Sequence, residues 1–307
     1  MMKEPFTTNH ESLIVSNGDR DSHFHTNIMD CMQYLISMLI RPLLVFWLIV
    51  YSIRYRTRPW NFFQLNGEYY NAGKKIFSKF DLDQSIPKRW RLSQTVDDGR
   101  VLPQFPVFRK PDWGQNSHGV SAVSGEAELL RLRSKRNKKN ITFLLQEAAR
   151  EKREFELFYI RSAENLKEYT LFSVTETTNS GESPLPVNGV LNRETSYHDI
   201  TALFREDELI RLWGMISNIG FFKIARVGLR ADSINDLVAG KFHIIEINLF
   251  LPMPLMLLDD QINWSMKHQF IRSSMQAAAA LAKTIVRRQK RYPIFFRQLV
   301  AHYQVKE

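Results

Sequence analysis

The stretch PVFRKPDWGQNSHGVSAV, residues 106–123, reads as strand, loop, strand. Lys110 ends the first strand, Pro111 breaks its pairing, Gly114 and Gly119 bracket a polar run, and Val120 restarts the alternation. Glycines let a backbone come close to phosphate oxygens and offer its N–H groups, and a lysine at the strand end adds a point charge. The same residues also suit a glycine-bearing hairpin with no ligand. It is not a Walker motif, because no Gly-Lys-Ser/Thr opens a helix.

The stretch HIIEINLFLPMP, residues 243–254, bears on that choice. Glu246 and Asn248 are two apart on an expected strand and share a face, with Ile245 and Ile247 expected on the other. A carboxylate and an amide oxygen side by side suit Mg2+, which takes oxygen ligands and bridges to phosphates. A polar face towards solvent is the competing reading, but the strand is otherwise apolar and buried polar groups need partners.

Composition bounds the rest. The chain has 307 residues, 44% hydrophobic and 24% charged, which suits one large domain or two to three subdomains. A single cysteine, Cys31, excludes a disulfide framework and a cysteine zinc site, and suits a reducing compartment. The net charge of +10 gathers at Arg54/Arg56/Arg58, Lys88/Arg89/Arg91, 131–139 and 287–291. Such runs serve nucleic acid, anionic lipid or a polyphosphate, or simply solvate the surface. No zinc-finger spacing or RNA-binding aromatic signature accompanies them, which makes nucleic acid the least supported partner. No G-x-S-x-G supports hydrolase chemistry.

Residues 1–25 are polar and turn-rich and read as a disordered tail. Within 26–55, the run QYLISMLIRPLLVFWLIVYSI at 33–53 is long enough to span a bilayer, but Arg41 and Pro42 interrupt it. It reads as a membrane anchor, or a helix lying on the membrane, or a buried helix of the fold. The arginines at 54, 56 and 58 would place the C-terminal bulk of the chain on the cytoplasmic side. Helical spacing is expected over 67–80, a strand in SIPKRWRLS, and strands at 141–147, 153–162 and 168–177. A loop is expected over 179–195, with a turn at His198 and Asp199. Next come a helix over 207–220 closed by Gly220, two strands around a turn with Gly240, and a long helix over 264–290. The expected class is α+β.

In this order, the lysine-ended strand with its glycine loop, a strand ending QE at 146–147, a glutamate-bearing strand and a final R…E-I-N hairpin resemble the ATP-grasp superfamily. The resemblance runs over about residues 100–262, and FRKPDWGQNSHGV and GKFHIIEINLFLPMPLMLLDD are most similar to its D-alanine–D-alanine-ligase-like branch. It implies two α+β subdomains clamping ATP: a small one at 106–165 and a large one at 166–262 that holds the metal. They would come after an N-terminal region at 56–105 and precede a helical region at 263–307. It implies ATP and Mg2+ as cofactors, and a carboxylate and an amine as substrates. The expected activity is an ADP-forming ligase that activates a carboxylate as acyl phosphate. The alternative is a degenerate member that binds nucleotide, or a partner at the membrane, without catalysis. The implied place is the cytoplasm, at the membrane's cytoplasmic face if 33–53 anchors the chain.

The resemblance also implies roles. Lys110 contacts the ATP phosphates, and the loop with Asp112, Gly114, Gln115, Ser117, His118 and Gly119 closes over them. Gln146, Glu147 and Ala148 form the hinge at adenine, Glu154 or, in preference, Glu156 takes the ribose, and Arg226 or Arg230 stabilises the transferred phosphoryl. Glu246 and Asn248 hold Mg2+. The family expects a further carboxylate in an R-x-D pattern, where this chain has Arg226, Val227 and Gly228. The next acid is Asp232, and either it pairs across to Glu246 as the ligand or Gly228 marks a lost one. A basic residue facing phosphate is also expected after 168–175, and Thr177 and Thr178 supply none.

Overall fold

The computed structural model describes residues 39–100, 102–114, 117–134, 141–285 and 290–306. The chain divides into two units, residues 1–42 and 43–307. Of the first, only 39–42 are described, and they are helical. The readings placed on 1–38, Cys31 included, lie outside the described residues, as do Gln115 and parts of the basic runs at 131–139 and 287–291.

The second unit opens with helix α1 over 43–54 and two 3-10 turns, Pro59–Gln64 and Gly67–Tyr69. A short helix, α2, covers Lys79–Asp83, with the Ser78 side chain accepting from Asp81 N–H as its cap. The helical spacing read over 67–80 is therefore not a helix. Asn71 and Ile76 close a tight turn there, and Tyr70 and Phe77 reach the core from it. SIPKRWRLS is likewise no strand: Trp90 is buried and donates to Gly240 O, and the strand begins at Gln94.

The strands form two antiparallel sheets. The smaller is ordered β1-β4-β2-β3, from Gln94–Val96 (β1), Val107–Pro111 (β2), Ser121–Val123 (β3) and Phe143–Glu147 (β4). Helix α3, Glu126–Ser134, packs Leu129 against Val107, Val123 and Leu145 on one face. Pro111 still pairs, opposite Phe143, as the last residue of its strand.

The larger sheet is ordered β7-β6-β5-β8-β9. Its strands are Arg153–Arg161 (β5), Tyr169–Asn179 (β6), Thr195–Asp199 (β7), Ile224–Ala231 (β8) and His243–Asn248 (β9). β5 belongs to this sheet and β1 to the small one, so the sheets do not divide at 165/166 or 105/106. β7 runs where a turn is expected at His198 and Asp199.

Alternation in β5 and β8 decides which residues face where. Phe155, Leu157, Tyr159, Val227 and Leu229 enter one core with Leu212, Trp213 and Ile216 of helix α4, Glu206–Ile216, and Leu237 of α5, Ile234–Val238. α4 ends four residues short of Gly220. On the opposite face Phe158, Ile160 and Ile224 are covered by α1 and by the alanine-rich helix α6, Trp264–Lys283. That cover stops halfway along the sheet, and the uncovered half carries Glu154 and Glu156 into a cleft. A final helix, α7, covers Ile294–Lys306. Among the described residues, no helix is long and apolar enough to cross a membrane.

Candidate functional site

The cleft lies between the small sheet and the uncovered half of the large one. Lys79, Lys110, Ser117, Gln146, Glu147, Glu154, Glu156, Arg226, Arg230 and Glu246 all line it. From the small sheet, Lys110 and Gln146 share a face, and Lys110 Nζ donates to Gln146 Oε1 at 2.8 Å. It also donates to Ile245 O of β9 at 3.2 Å, so one ammonium bridges the two sheets. Burial, and next the neighbouring Lys79, hold its pKa down to about 7.

The large sheet presents rows of side chains across its strands. Glu154 pairs with Arg230, Glu156 with Gly228, and Phe158 with Arg226 between β5 and β8. Gly228 then pairs with Glu246, and Arg226 with Asn248, between β8 and β9. The register shifts between Gly228 and Leu229, which leaves Ile245 as an extra residue in β9. The bulge turns Ile245 into the cleft beside Glu246, instead of opposite it as strict alternation predicts.

Charges in the cleft are paired across elements. Lys79 Nζ lies 2.7 Å from Glu246 Oε1, and Arg226 Nε lies 3.3 Å from Glu156 Oε2. Burial pushes Glu156 up to about 7. Burial acts the same way on Glu246, but Lys79, Arg226 and Lys110 outweigh it and hold the carboxyl well below the usual carboxylate range. Glu154 is raised by burial and accepts from Asn188 Nδ2 at 3.0 Å. The glycine loop turns through left-handed Gly114 and Gly119, with Ser117 and His118 between them. Ser117 Oγ donates to Asn188 O, so the loops around 117 and 188 meet over the cleft.

Of the expected residues, Asp112, Gly114, His118, Gly119, Ala148, Asp232 and Asn248 are not among those lining the cleft. Asp112 turns away into the protein, where it accepts from Ser78 Oγ at 2.8 Å, Phe80 N–H at 2.9 Å and Lys74 Nζ at 3.1 Å. Ala148 is buried and its N–H bonds to Pro106 O at 3.2 Å. Asp232 lies beyond the end of β8 and accepts from Lys152 N–H at 3.1 Å. Glu246 pairs with Gly228, four residues away, so the cross-strand pairing expected for Asp232 does not form; that separation is about 13 Å of strand. Lys79, which no motif in the sequence marks, brings a further cation into the cleft. Asn188 and Tyr197, which also line the cleft, come from segments read as loop and turn.

A second cluster, His198, Asp259 and Asp260, brings its ligand atoms within 4.8 Å of one another. Asp259 already accepts from the N–H groups of Asp199 at 2.7 Å and Gln261 at 2.8 Å, which gives it a structural role at the loop.

No protein-family model matches the chain, and no curated protein does. The chain is similar in part to several solved structures. D-alanine–D-alanine ligase from Bacillus anthracis matches at 11% identity and a TM-score of 0.39, over 58% of this chain and 57% of that one. L-amino acid ligase from Bacillus licheniformis matches at 17% and 0.38, over 57% and 40%. The ADP complex of N5-carboxyaminoimidazole ribonucleotide synthetase matches at 15% and 0.42, over 57% and 45%. The chain thus spans about half the length of these structures.

Proposed function

We propose that the cleft binds ATP with Mg2+ and that the chain is an ATP-grasp ligase, joining a carboxylate to an amine or related nucleophile. The observation that carries this reading is the meeting, in one cleft, of Lys110 from the small sheet with Glu246, Arg226 and Arg230 from the large one, with Asn248, paired to Arg226, in the same strand as Glu246.

Lys110 is the phosphate contact: burial lowers its pKa, and an anion beside it would favour the charged ammonium. The loop at Ser117 closes from above and Glu154 faces the ribose. Arg226 and Arg230 stabilise charge as the carboxylate oxygen displaces ADP from the γ-phosphorus and the amine then displaces phosphate from the acyl carbon. The donor set at Glu246 and Asn248 fits a hard cation, and Asn248 Nδ2 is buried without a hydrogen-bond partner, so the amide is free to turn its oxygen to one. Bound there, Mg2+ would neutralise phosphate charge and orient the nucleotide.

Gly228 supports a second reading, a nucleotide-binding protein without catalysis. A thermal melt with Mg·ATP, followed by ADP release against panels of acids and amines, separates the two. The ligase reading expects a melting shift that Lys110→Ala and Glu246→Ala abolish, and ADP formation that requires both substrates. A shift without ADP release supports the second reading, and no shift sinks both.

The cytoplasmic face of a membrane is part of the same proposal. Val45, Phe46, Ile49 and Ile53 of α1 are exposed and lead into exposed Arg54, Arg56 and Arg58, which suits a helix resting on anionic lipid. Co-sedimentation with phosphatidylserine vesicles, lost on Phe46→Ser with Ile49→Ser, tests it; equal binding by the variant rejects it.

A further inference from the structure

We propose that Glu156 supplies, from the neighbouring strand, the carboxylate that Gly228 lacks, so that the cation site is built on Glu156, Glu246 and Asn248. The inference rests on the nucleotide reading above.

Gly228 stands between two glutamates: Glu156 pairs with it from β5 and Glu246 from β9. All three positions face the cleft. A Cβ built on Gly228 would lie 3.3 Å from Glu156 Oε1 and 3.3 Å from Ile245 Cγ1. A side chain at 228 would press on the Glu156 carboxyl, which would have to give by a few tenths of an ångström. The glycine is therefore explained by room rather than by backbone conformation.

The carboxyl is also poised for a ligand. Glu156 is 8% exposed, and its Oε2 is buried with no hydrogen bond. Arg226 Nε lies 3.3 Å from that oxygen, yet it too has no hydrogen-bond partner, so the pair is a contact of charges without bonding geometry. Asn248 is equally buried at 8% exposure, and its Nδ2 has no partner. Each carboxylate has one cationic neighbour, Arg226 beside Glu156 and Lys79 beside Glu246. The other acids do not compete. Glu154 is held by Asn188, and Asp232 is bonded to Lys152 beyond the strand. Two carboxylates and an amide oxygen make a hard, all-oxygen set.

Mn2+ is the probe. It is titrated into the full chain with ADP, and free Mn2+ is read by electron paramagnetic resonance. The wild type takes up Mn2+, Glu156→Gln weakens uptake by at least about tenfold, and Glu156→Ala with Gly228→Asp, which vacates the place an aspartate at 228 needs, regains most of it. A carboxylate role predicts that rescue. Loss without rescue would assign Glu156 to positioning Arg226 and overturn the proposal, as would unchanged uptake in Glu156→Gln. No ADP-dependent uptake by the wild type fails the nucleotide reading itself, and this inference with it. If Glu156→Gln does not fold, the anomalous signal of Mn2+ in wild-type crystals with ADP decides. A peak within about 2.5 Å of a Glu156 carboxylate oxygen supports the site, and a peak on Glu246 and Asn248 alone overturns it.

Discussion

The two sheets that form the cleft are built unequally. The large sheet is covered by α4 and α5 on one face and half covered by α1 and α6 on the other. The small sheet has one slim core, from Val107, Val123, Leu129 and Leu145, with Asp97 clamped 2.7 Å from both Arg109 and Arg133 at its edge. The acidic row stands on the well-packed sheet and Lys110 on the slim one. A cation site needs ligands fixed in place, whereas a phosphate contact can travel with a part that opens. The few buried residues of the small sheet predict a lower local stability for it.

This contrast can be broken in order of effect. Phe155→Ala, in the core of the large sheet, should cost about 3–5 kcal/mol and lower the melting temperature of the whole unit. A loss confined to part of the chain would contradict the contrast. Leu129→Ala should cost about 2–5 kcal/mol, with part of it local. Hydrogen exchange should then speed up in β2 and β3 while β5 and β8 stay protected; equal acceleration in both sheets would refute the division.

A smaller effect is set by pH. Burial, then Lys79, lowers the pKa of Lys110 to about 7 in the free protein. Above that value the amine is neutral and a bound phosphate must draw a proton onto it. ADP affinity measured without a divalent cation should therefore fall as pH rises through about 7, by at most about tenfold per pH unit for this group, and Lys110→Met should flatten the profile. The sign for folding is opposite. Between about 7 and the unfolded value of about 10.4 the unfolded chain binds more protons, so this group adds stability as pH rises. The smallest effect belongs to Asp232→Asn, which leaves Mn2+ uptake unchanged because Asp232 bonds to Lys152 N–H and not to the acidic row.

The strands around the cleft were legible because they alternate. EFELFYI places Glu154 and Glu156 opposite Phe155 and Leu157, and the E-I-N spacing places Glu246 with Asn248. Spacing failed where the backbone departs from regularity. The bulge at Ile245 turns an apolar residue into the cleft, and no residue type in HIIEIN announces it. Asp112 looks like part of a phosphate loop until Ser78, Phe80 and Lys74 meet it from a segment over 30 residues earlier. Lys79 depends on the same non-local packing: a five-residue helix carries it to Glu246. Asp232 and Gly228 could not be decided from spacing, because the register that pairs Gly228 with Glu246 is set across three strands.

The central claim is a Mg-nucleotide site shared by Lys110 and the Glu246–Asn248 strand. Isothermal titration of the wild type, Lys110→Ala and Glu246→Ala with a non-hydrolysable ATP analogue, with and without Mg2+, tests it most directly. The account predicts a single site in the wild type that tightens with Mg2+, weakened in Lys110→Ala under both conditions and stripped of its Mg2+ dependence in Glu246→Ala. Binding that ignores Mg2+ and both substitutions, or no binding at all, would contradict it.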